Sequence, residues 1–175
     1  MSRTGHDVEV VRLGVIGDTH GLLRPEVFEV LAGVDHILHA GDVGDPNILL
    51  DLAAIAPVQA VWGNMDGPEI RARTSEVFQG KFGAVRVAMT HGHLARAFEV
   101  LPARFPEARL IIHGHTHVPR SDAVGEAILL NPGSAGPRRP GKPVALAVVT
   151  IRNGRIQVRH VDLESGVEFR PLGAG

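Results

Sequence analysis

The chain has 175 residues, 44% of them hydrophobic and 21% charged, with a formal net charge of −1. This is the length of one domain and the composition of a globular protein, which excludes a disordered chain and leaves no global basic field to draw in nucleic acid. With no cysteine present, a disulfide framework, a thiolate metal site and a cysteine nucleophile are excluded as well.

Met1 to Val8 carries no apolar run of the roughly 7–15 residues a signal peptide needs. No window reaches the ~18 apolar residues of a membrane span, so a cytoplasmic location without a membrane partner is expected. Val8 to Ile16 reads as a buried strand ending at Gly17-Asp18-Thr19-His20-Gly21. Pro25 to Leu31 has helical spacing and stops at Gly33; His36 to Ala40 is a second strand, ending at Gly41-Asp42. A helix over Asn47–Ala56 lies between Pro46 and Pro57, and a third strand, Val58 to Trp62, ends at Gly63-Asn64. This repeated strand–loop–helix order predicts a mostly parallel sheet with helices on a face.

The middle of the chain changes character. Val77–Phe78 and Ala84–Thr90 flank Gly80-Lys81-Phe82-Gly83 and predict a hairpin. Leu94 to Leu101 reads as a helix closed by Pro102, and Leu110 to Ile112 as a short strand ending at His113-Gly114-His115. Ala127–Leu130 precedes Asn131-Pro132-Gly133-Ser134, and Val144–Ile151 and Ile156–Val161 flank the turn pair Asn153-Gly154. The sequence predicts one α/β domain over residues 8–164 with a substantial antiparallel part, and flexible termini over 1–7 and 165–175, with fraying from Glu164 onward.

The ten histidines cluster: His20, His39, His91, His93, His113, His115 and His117 all lie in or beside short glycine-containing segments. Asp18, His20, Asp42, Asn64, His91, His115 and His117 each follow an apolar run by one to a few residues, and strand ends in α/β sheets converge on a common edge. Gly17, Gly41, Gly63, Gly92 and Gly114 stand beside them, where glycine allows tight turns and close backbone approach. Two carboxylates, one carboxamide and four imidazoles suit Mn²⁺, Fe²⁺, Ni²⁺ or Zn²⁺ rather than Ca²⁺. Seven donors are too many for one closed tetrahedral site and fit two ions roughly 3.5–4 Å apart. Two divalent ions, two carboxylates and a hydroxide leave about +1 of charge, which favours an anionic substrate.

In this order and spacing, Asp18-Thr19-His20, Gly41-Asp42, Gly63-Asn64, His91-Gly92-His93 and Gly114-His115-Thr116-His117 resemble the motif set of the calcineurin-like metallophosphoesterases. The short length and Gly63-Asn64-Met65-Asp66 resemble its small YfcE-type bacterial and archaeal phosphodiesterase branch, related in fold to Vps29. The resemblance runs from Asp18 to Ser134 and implies a four-layer α/β/β/α sandwich of two mixed β-sheets. It implies that Asp18, His20 and His117 bind one metal and Asn64, His91 and His115 a second, with Asp42 bridging both. It implies in-line attack of a bridging hydroxide on phosphorus, with Asp42, Asn64 and His93 as catalytic residues. Mn²⁺ is the favoured metal, with Ni²⁺, Fe²⁺, Zn²⁺ and Mg²⁺ as alternatives.

Larger members of the superfamily carry histidine where this chain has Met65, whose thioether transfers no proton. His93, as acid or phosphate contact, and Asp66 are the replacement candidates, although a carboxylate near metals would be mostly ionised, and Asp66 is equally a candidate to support the ligands, like His39 and His113. Losing a general acid forfeits about 10²–10⁴ in rate, which favours good leaving groups. The expected substrate is a small phosphodiester, with nucleotides among the candidates. A phosphomonoesterase or protein phosphatase and a Vps29-like scaffold are the alternatives, and a nuclease is disfavoured at this length and charge. No stable nucleic-acid partner is expected, and a homodimer or homotetramer is.

The remaining polar residues have plainer readings. Asp45 is a helix cap, and Arg138–Arg139 a solvated loop with a phosphate contact as the minor alternative. His39 is either a support for a ligand or a hydrogen-bonded core residue, and His113 a core or supporting residue. His6, His36 and His160 are structural or exposed, Trp62 is core, and Asn131–Ser134 is a tight turn that the resemblance places near the site.

Overall fold

The computed structural model of the chain describes residues 9–94, 98–171 and 173. The expected flexible terminus over 1–7, with His6, and the Ala95–Ala97 part of the expected helix lie outside these residues. In chain order the elements are β1 (Val10–Ile16), α1 (Glu26–Val30), β2 (His36–His39), α2 (Asn47–Ala53), β3 (Val58–Ala60), α3 (Pro68–Arg73), β4 (Val77–Phe82) and β5 (Val85–Thr90). They continue with a 3₁₀ turn (Phe98–Val100), α4 (Leu101–Arg104), β6 (Leu110–Ile112), β7 (Arg120–Val124), β8 (Ala127–Asn131), β9 (Ala145–Arg152), β10 (Arg155–Asp162) and β11 (Glu168–Phe169).

The strands form two mixed sheets. One runs β11-β10-β9-β1-β2-β3 and the other β4-β5-β6-β8-β7. In the first, β1, β2 and β3 are parallel and β9 joins β1 antiparallel. In the second, β5, β6 and β8 are parallel, with antiparallel partners at both edges.

Period-two alternation sorts the side chains into layers. Leu13, Val15, Leu38, Ala147 and Val149 join Val87, Met89, Leu110, Ile112 and Leu130 in one apolar core between the sheets. The other face of the first sheet, through Ile16, Ile37, Leu146 and Val148, packs on Val27 and Leu31 of the α1 segment and Ile48 and Leu52 of α2. Ala88, Ile111 and Leu129 cover the far side of the second sheet together with Leu101 and Phe105. The result is the four-layer α/β/β/α sandwich.

Several local expectations are corrected. The hairpin turn is Gly83-Ala84, because Phe82 pairs with Val85 and Gly80 stays in the ladder opposite Val87. Pro102 opens α4 rather than closing a helix, since proline's missing N–H is harmless in a first turn. β7 and α3 lie where no element was predicted. The tail expected to fray from Glu164 instead supplies β11, whose Phe169 pairs with His160. Asn153 and Gly154 both have positive φ, 50° and 76°, as their two-residue turn requires.

Candidate metal centre and active site

Parallel β1, β2 and β3 release their following loops at one edge, and parallel β5 and β6 of the other sheet meet them there. Asp18 and His20 follow β1, Asp42 follows β2, Asn64 follows β3, His91 follows β5, and His115 and His117 follow β6. Asp18, His20, Asp42, His115 and His117 all adopt positive φ, between 46° and 72°. Non-glycine residues rarely do so, and such conformations persist where the surroundings over-determine them. The loops are shaped to aim these side chains inward.

Two donor groups result. In the first, His20 Nε2 lies 3.1 Å from His117 Nε2, and Asp18 Oδ1 lies 3.2 Å from His117 Nε2 and 3.8 Å from His20 Nε2. In the second, Asn64 Oδ1 lies 3.2 Å from His91 Nε2 and 3.1 Å from His115 Nδ1. Asp42 stands between them, its Oδ2 3.3 Å from His91 Nε2 and 3.9 Å from His20 Nε2. All seven sequence-predicted donors are therefore brought together. Asp18, Asp42, His91 and His117 are buried, whereas Asn64 and His115 are exposed and open the second group to solvent.

The hydrogen bonding fits a cation. Asp18 Oδ1 is buried and accepts no hydrogen bond from a described residue. His91 Nδ1 donates to the Ala40 carbonyl at 2.8 Å. In the neutral ring this fixes the Nε2 lone pair toward two oxygens, Asp42 Oδ2 and Asn64 Oδ1. Facing lone pairs repel unless a proton or a metal ion sits between them. Burial works to lower the His91 pKa, but the hydrogen bond to Asp42 and the charges of Asp18 and Asp42 outweigh it and raise it. Burial likewise opposes ionisation of Asp42, yet His91 and the Met65 N–H hold its carboxyl down to about 2. Burial lowers His20 and His115 toward the neutral, ligating form.

The glycines leave room for this packing. A Cβ on Gly63 would meet Asp42 Oδ1 at 2.1 Å, and one on Gly41, at φ 92°, would meet His91 Nδ1 at 2.7 Å.

The calcineurin-like phosphoesterase superfamily domain matches residues 11–154. The chain belongs to that superfamily. It is 36% identical over 166 residues to the phosphodiesterase YfcE of Escherichia coli K12, covering 80% of this chain and 88% of the relative. It is 39% identical over 132 residues to a probable metallophosphoesterase of Methanothermobacter thermautotrophicus, covering 70% and 76%. The structure of vacuolar protein sorting 29 from Cryptosporidium parvum shares the fold, with a TM-score of 0.80 at 21% identity over 91% of this chain and 95% of that one. As a superfamily member the chain is a metal-dependent phosphoester hydrolase.

Around these donor groups the supporting residues separate cleanly. Thr19 Oγ1 donates to the Val43 carbonyl at 2.9 Å and so accepts from His39 Nε2 at 3.0 Å, while His39 Nδ1 accepts the Gly41 N–H at 3.2 Å. His39 thus ties together the loops of Asp18 and Asp42 without touching either carboxylate, and burial keeps it neutral, with a pKa lowered to about 4. His113 stacks on Phe98, with ring centroids 4.2 Å apart, and Asn131 Nδ2 lies 3.4 Å from its Nδ1. Asn131 Nδ2 donates to the Gly114 carbonyl and to Thr116 Oγ1, and Ser134 Oγ to the Asp18 carbonyl, so this turn braces two ligand loops. Asp45 Oδ1 accepts the Asn47 N–H ahead of α2.

Asp66 is not placed as a proton donor. Its Oδ1 accepts the Gly44 N–H at 3.0 Å and its Oδ2 the Gly63 N–H at 2.7 Å. It is 4% exposed and clamps the loop after β2 to the loop after β3. Met65 is 67% exposed and directs its N–H, not its side chain, into the site. His93 lies 5.3 Å from His91 between ring centroids, with its Nδ1 buried and without a described partner. Burial, then the His91 and His115 charges, lower its pKa and so favour its neutral form. Two cations act near the site. Arg139, read as part of a solvated loop with a phosphate contact as the minor alternative, acts electrostatically on His20, and Arg71, which the sequence did not single out, acts on His93.

Proposed function

We propose that the chain is a two-metal phosphodiesterase acting on small phosphodiesters. The observation that carries this is the convergence of His91 Nε2 with Asp42 Oδ2 at 3.3 Å and Asn64 Oδ1 at 3.2 Å, beside a buried Asp18 oxygen that accepts no hydrogen bond from a described residue. Asp18, His20 and His117 would hold one ion, Asn64, His91 and His115 the other, and Asp42, which faces both groups, would be shared. This mixed oxygen and imidazole set suits Mn²⁺, Fe²⁺, Ni²⁺ or Zn²⁺; Mn²⁺ is the ion expected, with Mg²⁺ as a further competitor. Such an ion pair, when bound, polarises a phosphoryl oxygen and lowers the pKa of a water.

The chain's own residues then position the substrate. His93, neutral and beside the second donor group, contacts a phosphoryl oxygen rather than delivering a proton. Met65 offers no acid, and Asp66 has both oxygens committed to backbone N–H groups. A diester, carrying one negative charge, asks less of this rim than a dianionic monoester. The complete donor set speaks against a purely scaffolding role.

The test is reconstitution of chelator-stripped protein with Mn²⁺, Ni²⁺, Zn²⁺ or Mg²⁺, comparing bis-p-nitrophenyl phosphate with p-nitrophenyl phosphate. Metal-dependent turnover that favours the diester is expected. Turnover that favours the monoester, or metal binding without turnover, would refute the reading.

A further inference from the structure

Lys142 lies outside every motif the sequence singled out, three residues before β9 of the first sheet. It is half-buried, and its ammonium donates to the Thr116 carbonyl at 2.6 Å. Thr116 is the single residue between His115 and His117, and those two imidazoles belong to different donor groups. His117 Nε2 lies 3.1 Å from His20 Nε2 in the first group, and His115 Nδ1 lies 3.1 Å from Asn64 Oδ1 in the second. A displacement of Thr116 therefore moves one proposed ligand of each group at once.

The loop needs holding. His115 and His117 have φ of 72° and 58°, and non-glycine residues keep such a backbone only where their surroundings impose it. Asn131 holds the loop from β8, on the loop's own sheet, through the Gly114 carbonyl and Thr116 Oγ1, both at 3.0 Å. From the first sheet's side, Asp18 Oδ2 accepts the His115 N–H at 3.1 Å, and His20 and Asn64 face His117 and His115. Each of those contacts runs through a proposed ligand residue. Among the described residues, the Lys142 bond is the one hydrogen bond that ties the loop to the first sheet's side without using a ligand. The segment that carries Lys142 is itself fixed there, because Ala135 donates to the Gly17 carbonyl at 3.1 Å and Ala145 to the Ser134 carbonyl at 2.9 Å. An ammonium donor makes a stronger bond to a carbonyl than a neutral one does.

Resting on the two-ion reading above, we infer that Lys142 is a positioning residue that fixes His115 and His117 against the first sheet and so couples the filling of the two ion positions. Without this tie the loop settles on whichever donor group fills first, which carries the other imidazole off its own group. One ion still binds, and the second binds poorly. The charge of Lys142 acts in the opposite sense. A cation beside the site repels divalent ions, so its removal by charge alone would tighten their binding. Positioning and charge thus predict opposite signs for one substitution.

The experiment titrates the metal-free full chain with Mn²⁺ and follows free Mn²⁺, and the magnetic coupling of bound ions, by electron paramagnetic resonance. Wild type is expected to bind two coupled ions per chain. In Lys142→Met the first ion should bind nearly as in wild type and the second about 10–100-fold more weakly, with the coupled signal replaced by that of an isolated ion. Lys142→Arg, which keeps a cationic donor, should recover part of the loss. Unchanged or tighter binding of the second ion in Lys142→Met would overturn the inference, as would an equal loss in Lys142→Arg. Equal weakening of both ions, with a lower melting temperature of the metal-free protein, would mark Lys142 as a general support of the fold and overturn it as well. Saturation of wild type below two ions per chain would remove the two-ion reading and the inference with it.

Discussion

His91 Nε2 lies 3.3 Å from Asp42 Oδ2, and a proton between them occupies the place a metal ion would take. Because the neighbouring carboxylates raise the His91 pKa against its burial, protons compete with metal above the ordinary histidine value of 6.5. Metal binding must therefore release protons. Calorimetric titration with Mn²⁺ near pH 6.5, in two buffers of different ionisation enthalpy, should show proton release and an affinity that weakens as pH falls. A pH-independent affinity from pH 8 to 5 would contradict the imidazole ligand set.

Gly63 tests the packing of the Asp42 carboxylate, proposed above to be shared. In Gly63→Ala the new Cβ would meet Asp42 Oδ1 at 2.1 Å and its backbone nitrogen at 2.5 Å, so Asp42 must move. Loss of activity beyond the ~100-fold that removal of an outer partner costs is expected, with weaker Mn²⁺ binding. Wild-type kinetics in this variant would show that Asp42 does not need its present position.

Asp66 acts through backbone alone. Asp66→Asn turns one acceptor into a donor that faces a Gly44 or Gly63 N–H, at a cost of about 1–3 kcal/mol. Urea unfolding should show that loss, and Mn²⁺ affinity should fall with it. A residue serving as a proton donor would instead change the pH profile of kcat and leave stability unaltered.

His39, His113 and His160 share one consequence of burial. It lowers each pKa to about 4 from the ordinary 6.5. The unfolded chain then binds more protons than the folded one between these values. Their stabilisation is complete above pH 6.5 and is lost as pH falls toward 4. Thermal melting of metal-free protein from pH 8 to 4 should show a steep acid limb. His160→Leu, remote from the donor groups, should make that limb shallower, and an unchanged limb would show that His160 does not contribute.

The strand ends and their polar residues were legible because the sequence punctuates them. An apolar run followed by a donor beside a glycine recurs at Asp18, Asp42, Asn64, His91 and His115, and each recurrence maps to a loop at one edge. Elements with mixed patterns were not legible. β7 carries Arg120 and Asp122 at an edge, which masks its alternation, and α3 is six residues long. Gly80 reads as a turn residue, but pairing across β4 and β5 keeps it in register and gives the turn to Gly83-Ala84. At the site, the sequence leaves Asp66 open between an acid and a supporting residue, and only the fold shows both of its oxygens held by N–H groups. Arg71 and Lys142 carry no local signal, because their meaning comes from His93 and Thr116 on other segments.

The most direct test of the two-metal account is the metal content of stripped protein titrated with Mn²⁺, measured elementally beside activity on bis-p-nitrophenyl phosphate. The account predicts two ions per chain, turnover that follows occupancy of both, and neither full occupancy nor turnover in Asp42→Ala. Saturation at one ion per chain, or full turnover by the stripped protein, would contradict it.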